Sequence, residues 1–116
     1  MSYTILDRAE LSRDKDTGTA EFEGYLHGRG DYSFLWVDMA PGAGPRLHKH
    51  PYEEVFIILE GCPRFTVGAE TLDAQPGQII VVPADTPHKF VNVGEGPLRQ
   101  IDIHASKQFI TEWLED

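Results

Sequence analysis

The stretch HKHPYEEVFIILEG, residues 48–61, joins two histidines to the start of an apolar strand. In an extended chain, side chains two positions apart point to the same face, so His48 and His50 direct their imidazoles together. Glu54 follows beyond a proline that bends the chain, and its carboxylate can reach the same point. Imidazole and carboxylate are a natural ligand set for a divalent transition metal. The same pattern also occurs in solvated polar turns, so the stretch alone leaves both interpretations open.

A second segment, GQIIVVPADTPHKFVN at residues 77–92, carries a further histidine, His88, at the start of another strand-like run. The first segment is spaced Gly42-(x5)-His48-x-His50-(x3)-Glu54-(x6)-Gly61. The second is spaced Gly77-(x5)-Pro83-x-Asp85-(x2)-His88-(x3)-Asn92.

These two segments resemble the two motifs of the cupin family. The first matches the family pattern at every defined position, and the second differs only at Asp85, where the pattern has glycine. Aspartate tolerates left-handed backbone geometry better than most residues, so we expect the turn to survive. The resemblance covers residues 42–92 and implies an all-β fold, a cupin-type jelly-roll barrel or double-stranded β-helix, filling a single domain over residues 1–116.

The resemblance also implies one divalent transition metal ion, which could be Fe, Mn, Ni, Cu or Zn. Its ligands would be His48, His50, Glu54 and His88, with further coordination positions open to water, substrate or oxygen. The chemistry of the side chains agrees, because four such groups are costly to bury together without a metal or mutual pairing.

The rest of the chain fits a small β protein. Glycine and proline punctuate short runs rich in β-branched and aromatic residues, at 32–39, 54–59, 64–67, 78–82, 88–93 and 98–104, with 21–26 as one further candidate. Such spacing predicts a β sandwich or barrel. One segment, 106–116, has its apolar residues at helical spacing and a serine able to cap its start, so it predicts a short C-terminal helix.

Charge and composition exclude several partners. The 116 residues include 19 acidic and 10 basic side chains, for a net charge of −9. Nucleic acids and anionic membranes bind to basic surfaces, so neither is expected as a partner. The charged N-terminus, the single cysteine and the absence of a long apolar stretch predict a cytoplasmic location.

Two further residues are candidates for catalysis. Tyr52 lies near the expected mouth of the pocket, where it either touches substrate or only forms the rim. His104 shares a strand face with Gln100 and Asp102, and that face lines either the pocket or the solvent. The solvent position, with Ile101 and Ile103 in the core, is the favoured interpretation. Phe56 and Phe90 are expected inside the barrel, and Lys49 and Glu53 outside it.

The run from Tyr32 to Met39 is apolar on both faces, which favours a homodimer. A metal-dependent enzyme acting on a small organic molecule, dioxygenase-like in its chemistry, is the leading hypothesis, because three histidines and a glutamate with open coordination positions suit iron and oxygen. The alternatives are a non-catalytic small-ligand binding or sensor protein, and a sugar isomerase or epimerase, although Arg46, Arg64 and Arg99 do not form a phosphate-binding cluster in the sequence.

Overall fold

The computed structural model describes residues 3–28 and 30–116. Within these ranges, a 3-10 helix at Arg8–Glu10 and an α-helix, α1, at Gly24–His27 accompany eleven strands. The strands are β1 (Ser12–Arg13), β2 (Ala20–Glu23), β3 (Ser33–Met39), β4 (His48–Lys49), β5 (Glu54–Glu60), β6 (Pro63–Val67), β7 (Glu70–Asp73), β8 (Ile79–Val82), β9 (His88–Asn92), β10 (Leu98–His104) and β11 (Glu112–Trp113).

The strands form two antiparallel sheets, which confirms the predicted all-β jelly-roll architecture. One sheet has the order β1-β2-β3-β10-β5-β8, and the other has the order β11-β4-β9-β6-β7. The six main predicted strands are all present, and their ends agree with the prediction to within one residue. The seventh candidate, 21–26, is a strand only as far as Glu23 and continues as α1. No helix within the described ranges is long and apolar enough to cross a membrane.

Alternating burial places the core between the two sheets. In β5, Glu54, Phe56 and Ile58 are buried while the residues between them are partly exposed. The apolar core consists of Val37, Met39, Phe56, Ile58, Phe65, Ala74, Val82, Phe90 and Leu98. The expected inward positions of Phe56 and Phe90 are therefore confirmed.

Strand register brings the polar residues to one end of the barrel. Glu54 at the start of β5 lies opposite His104 at the end of β10, and His48 in β4 lies opposite His88 at the start of β9. Residues far apart in sequence thus become neighbours because antiparallel pairing sets the ends of these strands side by side.

The turn before β9 has the geometry that the sequence required. Asp85 has a φ of 62°, the only positive φ at a non-glycine residue in the described ranges. Its backbone N–H donates to the carbonyl of His50 at 2.7 Å. Aspartate replaces the family's glycine without loss of the turn, as expected, and the turn is bonded directly to His50, one residue beyond β4.

Two sequence expectations were wrong, and the C-terminal segment is the first. Residues 106–116 contain no helix, and β11 pairs with β4 there instead. The N–H of Leu114 donates to the carbonyl of Leu47 at 2.9 Å, and Trp113 packs on His48 with a ring distance of 5.1 Å. A helix this short is marginal by itself, so pairing with the barrel outweighs the helical pattern.

The second error concerns the face of β10. Gln100, Asp102 and His104 are buried, whereas Ile101 and Ile103 lie on the outer face and are only partly buried. The strand is sandwiched between β3 and β5 in the larger sheet, and its polar face looks into the barrel. Alternation alone gives two faces but does not say which is inside.

Candidate metal centre

Four side chains converge inside the barrel at its polar end. His48, His50, Glu54 and His88 are all buried, and each offers one ligand atom within 4.8 Å of the others. The structure therefore brings together all four residues that the two motifs suggested. Lys49 and Glu53, their sequence neighbours, point away: Lys49 is within 3.7 Å of Glu112, and Glu53 is exposed.

Backbone carbonyls orient the three imidazoles. The Nδ1 atom of His48 lies 2.6 Å from the carbonyl of Arg46. The Nδ1 atom of His50 lies 2.8 Å from the carbonyl of Ile110, and that of His88 lies 2.8 Å from the carbonyl of Thr86. A carbonyl can only accept, so each Nδ1 carries the proton and donates it. In its neutral form each ring then presents an Nε2 lone pair to the centre of the group, which is the tautomer that a metal needs.

The distances between the imidazole nitrogens and the Glu54 carboxylate suit a cation bound between them. The Nε2 atoms of His50 and His88 lie 3.1 and 3.0 Å from Glu54 Oε1. His88 Nε2 donates a hydrogen bond to that oxygen when its ring is protonated, but an unprotonated nitrogen this close to a carboxylate is repelled unless a cation lies between them. His50 Nε2 has no aligned hydrogen bond despite the short distance. A proton would therefore satisfy this atom poorly, whereas one divalent cation can accept all the lone pairs, so the group suits a metal ion.

The ionisation of His48 and Glu54 matches a ligand set. Burial lowers the pKa of His48 to about 4, so its ring is neutral at neutral pH. Burial by itself would raise the pKa of Glu54, but the adjacent imidazoles of His104, His50 and His88 outweigh it and hold that pKa well below its usual range. A neutral imidazole and an ionised carboxylate are the forms that bind metals. Burial would lower the pKa of His88, but hydrogen bonding to Glu54 and to the carbonyl of Thr86 outweighs it and raises that pKa, so a metal binding there would displace a proton.

Tyr52 and His104 form a chain of contacts leading to Glu54. The Tyr52 hydroxyl accepts from the N–H of Ile110 at 3.2 Å and lies 2.7 Å from His104 Nδ1. Its own proton is therefore directed at Nδ1, since burial raises the pKa of Tyr52 to about 12. His104 must then carry its proton on Nε2, the opposite tautomer to the three other rings. This nitrogen is 3.0 Å from Glu54 Oε2, although the N–H is not aligned on that oxygen.

A cavity of about 330 Å³ opens beside the group. Its apolar lining comes from Leu35, Met39, Phe90, Phe109 and Trp113, and its polar lining includes His48, His50, Glu54, Asp102 and His104. The size is at the lower end of the range for small-molecule sites. A larger surface depression of about 550 Å³ lies near Arg8 and Pro97, but it is shallow and contains none of the histidines, so we assign the site to the smaller cavity.

The arginines do not form an anion site in this cavity. Arg46 stacks over Trp113 at 4.6 Å, Arg64 is paired with Asp73, and Arg99 is paired with Glu60. None of these three lines the cavity. This arrangement counts against the sugar-phosphate chemistry considered from the sequence.

Comparison with known proteins identifies the family. The family model described as a cupin domain matches residues 35–104, more than half of the chain. The chain belongs to the cupin family. Among curated proteins, this cupin is 41% identical over 59 residues to the uncharacterized protein MJ1618 of Methanocaldococcus jannaschii, covering 50% of this chain and 47% of that protein. It is 35% identical over 69 residues to the polyketide synthase CurC of Streptomyces cyaneus, covering 59% of this chain and 44% of that protein.

Solved structures show the same fold. This cupin superposes on an oxalate decarboxylase with a TM-score of 0.79 and 24% identity, covering 90% of this chain and 30% of the other. The oxalate decarboxylase of Lactobacillus farciminis in complex with formate superposes with a TM-score of 0.79 and 20% identity, covering 90% of this chain and 33% of that one. The oxalate decarboxylase of Bacillus subtilis, described with Mn(II) centres, superposes with a TM-score of 0.77 and 24% identity, covering 90% of this chain and 30% of that one. The chain thus spans under half the length of these two curated relatives and about a third of the length of these solved structures. The sequence identity to the solved structures is below 25%, so the likeness to them shows the fold alone.

Several lining residues were not found from the sequence. The sequence favours the solvent face for Asp102 and a helix for the C-terminal segment that contains Phe109, Thr111 and Trp113, yet all four residues line the cavity. Asp102 lies two residues before His104 and therefore shares its strand face, which was the available signal for Asp102. Nothing in the sequence indicates that the C-terminal segment closes over the cavity.

Proposed function

We propose that this cupin is a metal-dependent enzyme acting on a small organic molecule, with oxygen-dependent, dioxygenase-like chemistry as the leading case. The observation that carries the proposal is the buried group of His48, His50, Glu54 and His88 at the wall of a cavity large enough for a small ligand. A divalent metal held by these residues would supply Lewis acidity and, if redox-active, the ability to react with oxygen.

The residues of the chain have defined parts in this proposal. The apolar lining from Leu35, Phe90 and Phe109 excludes water, which strengthens electrostatic interactions within the cavity. Tyr52 orients His104 through its hydroxyl, and His104 holds a proton on Nε2 beside the carboxylate of Glu54. We propose Tyr52 and His104 as the residues that orient Glu54. His104 lines the cavity and supplies a polar contact next to the substrate, whereas Tyr52 does not line it and acts through His104.

The relatives support an organic substrate but do not name it. One curated relative is called a polyketide synthase, and a structural neighbour is described with Mn(II) centres. Manganese and iron both accept histidine and carboxylate ligands, so the donor set of this chain agrees with either metal.

Metal content tests the first half of the proposal. Protein purified without added metal is analysed for its elements as wild type, His48→Ala, His88→Ala and Glu54→Gln. We expect about one equivalent of a transition metal in wild type and less than a tenth of that in the three variants. Glu53→Gln is the matched control because it changes the adjacent, exposed glutamate and should retain the metal. Unchanged metal content in His48→Ala and His88→Ala would show that the assignment is wrong.

Oxygen uptake tests the second half. The Fe(II)-loaded protein is assayed with an oxygen electrode against phenols, thiols and diketones. Uptake that depends on substrate and disappears in Glu54→Gln but not in Glu53→Gln supports an oxygen-dependent enzyme. If metal is bound but every candidate is silent, the alternative of a non-catalytic ligand-binding cupin takes precedence.

We propose further that the partner of this chain is a second copy of itself. Register aligns two rows of apolar side chains across the outer face of the six-stranded sheet. One row is Phe22, Phe34, Ile103, Val55 and Val81, and the other is Trp36, Ile101, Ile57 and Ile79. Charged Asp38, Glu60 and Arg99 lie along one side of these rows, and Arg99 pairs with both acids. An apolar centre with a polar rim is typical of a protein interface.

A further inference from the structure

The cavity contains a buried carboxyl group that the metal-binding group does not use. Asp102 lines the cavity on β10 and its side chain is completely buried. Its Oδ1 atom accepts a hydrogen bond from Gln100 Nε2 at 2.8 Å. Its Oδ2 atom and the Oε1 atom of Gln100 have no hydrogen-bond partner. Buried polar atoms without partners are rare and costly, so they point to a ligand or water that provides the missing bond.

The amide of Gln100 fixes which oxygen is available. Since Oδ1 is held by the neighbouring amide on the same strand, Oδ2 is the oxygen left to meet a molecule in the cavity. Burial, reinforced by the charge of Glu54, raises the pKa of Asp102 well above its usual range. A hydroxyl group on a ligand both donates and accepts, so it can satisfy Oδ2 in either protonation state.

The charge of the lining disfavours an anionic ligand. Four carboxyl side chains line the cavity, those of Asp14, Glu21, Glu54 and Asp102. No lysine or arginine is among the described residues that line it. Away from the metal-binding group, a carboxylate on the ligand would meet this acidic wall without a guanidinium or ammonium group to pair with, and a neutral ligand would not meet that repulsion.

The apolar lining is largely aromatic. Phe90, Phe109 and Trp113 lie on the cavity wall together with Leu35 and Met39. Flat rings pack well against such side chains in offset or edge-to-face arrangements. The volume of about 330 Å³ admits a compact ring compound.

We propose that the cavity binds a neutral aromatic molecule bearing a hydroxyl group, and that Asp102 Oδ2 is the hydrogen-bond partner of that hydroxyl. This inference rests on the proposed function, in which the bound molecule is the substrate of the adjacent metal-binding group. Asp102 is then a specificity-determining residue, and Gln100 positions its carboxyl group.

Calorimetric titration with three matched probes tests the proposal. Naphthalene, 2-naphthol and 2-naphthoate share one ring system and differ only in the substituent. The full chain is loaded with Zn²⁺, which has no redox chemistry, so binding is measured without turnover. We expect 2-naphthol to bind about tenfold more tightly than naphthalene, as one buried hydrogen bond provides, and 2-naphthoate to bind more weakly than 2-naphthol.

Variants assign the preference to Asp102. Asp102→Val should reduce the preference for 2-naphthol over naphthalene to within about twofold, while naphthalene still binds and so reports a folded cavity. Asp102→Asn keeps a group that donates and accepts and should retain most of the preference. Asp102→Ala replaces the valine variant if that protein does not fold, and Asp73→Val is the control at an exposed aspartate.

Three results would overturn the inference. The first is an unchanged hydroxyl preference in Asp102→Val that disappears when zinc is removed, which would assign the hydroxyl to the metal. The second is tighter binding of 2-naphthoate than of 2-naphthol. The third is failure of all three probes to bind zinc-loaded protein. Failure of the proposed function looks different, since it would appear as missing metal or missing turnover.

Discussion

His104 Nε2 lies 3.0 Å from Glu54 Oε2, while His50 and His88 approach the other oxygen of the same carboxylate, Oε1. The two oxygens of Glu54 are thereby divided between the metal-binding side and the β10 side of the barrel. The Tyr52 hydroxyl contacts His104 Nδ1 and so fixes the tautomer of His104, which places the ring proton on Nε2, the nitrogen beside Oε2. The position of Glu54 thus depends on His104, which lies outside the two cupin motifs, and on Tyr52, an undefined position within the first motif.

Removal of this support should weaken metal binding without abolishing it. In Tyr52→Phe and His104→Gln we expect metal affinity to fall about tenfold, because partners that orient a metal ligand contribute at this level. Competition with a chromogenic chelator measures the affinity. His27→Gln is the matched control, since His27 stacks on Phe22 away from the site. Equal affinity in all four proteins would show that His104 does not position Glu54.

The buried carboxyl of Asp102 should make stability depend on pH in a defined direction. Burial raises its folded-state pKa well above the ordinary value of 3.8. Above that value the folded protein binds a proton that the unfolded chain has released, so this contribution to stability falls as pH rises. Asp102→Asn removes the titration. The free energy of unfolding of the variant relative to wild type should therefore increase from about pH 4 towards neutral pH, by at most about 1.4 kcal/mol per pH unit.

Urea denaturation of metal-free protein at several pH values measures this difference. Asp73→Asn provides a control of opposite sign, because hydrogen bonding to Arg64 lowers the pKa of Asp73. The stabilisation that this exposed pair provides is present above the unfolded pKa and is lost as pH falls. A pH-independent difference for Asp102→Asn would contradict the burial of an uncompensated carboxyl group.

Adjacent residues of β5 should differ sharply in their contribution to stability. Ile58 is 1% exposed within the core, whereas Leu59 is 53% exposed on the outer face. Ile58→Ala should lower the free energy of unfolding by about 2–5 kcal/mol, because it removes buried methyl groups and leaves a cavity. Leu59→Ala should change it by less than about 0.5 kcal/mol in the monomer. Similar losses at both positions would contradict the assignment of the two faces of β5.

The apolar rows on the outer sheet should determine the oligomeric state. Ile101→Glu places a charge in the centre of this face, and Val81→Glu places one at its edge. We expect both variants to be monomers by light scattering at concentrations where wild type is a dimer, because an unpaired charge is costly in a buried interface. Thr71→Glu, on an exposed strand of the other sheet, is the control and should remain dimeric. A monomeric wild type would reject the second copy as the partner.

The sequence by itself determined the fold class, the six main strands and the four residues of the metal-binding group. The strands are local features that alternation defines, whereas the grouping of His88 with the other three residues came from the resemblance of the two motifs to the cupin family. The left-handed turn at Asp85 was also predictable, because few residue types tolerate that backbone geometry.

Only the tertiary structure decided which side of β10 faces the cavity and what residues 106–116 do. A strand with polar and apolar faces fits either orientation until its neighbours are known. Gln100, Asp102 and His104 are inside because the register pairs them with the inward-facing residues of β5, Ile58, Phe56 and Glu54. The C-terminal segment has a helical pattern, but its backbone pairs with β4, and Trp113 packs against His48. Long-range pairing outweighs the weak local preference of a short segment, and it therefore controls the lining of the cavity.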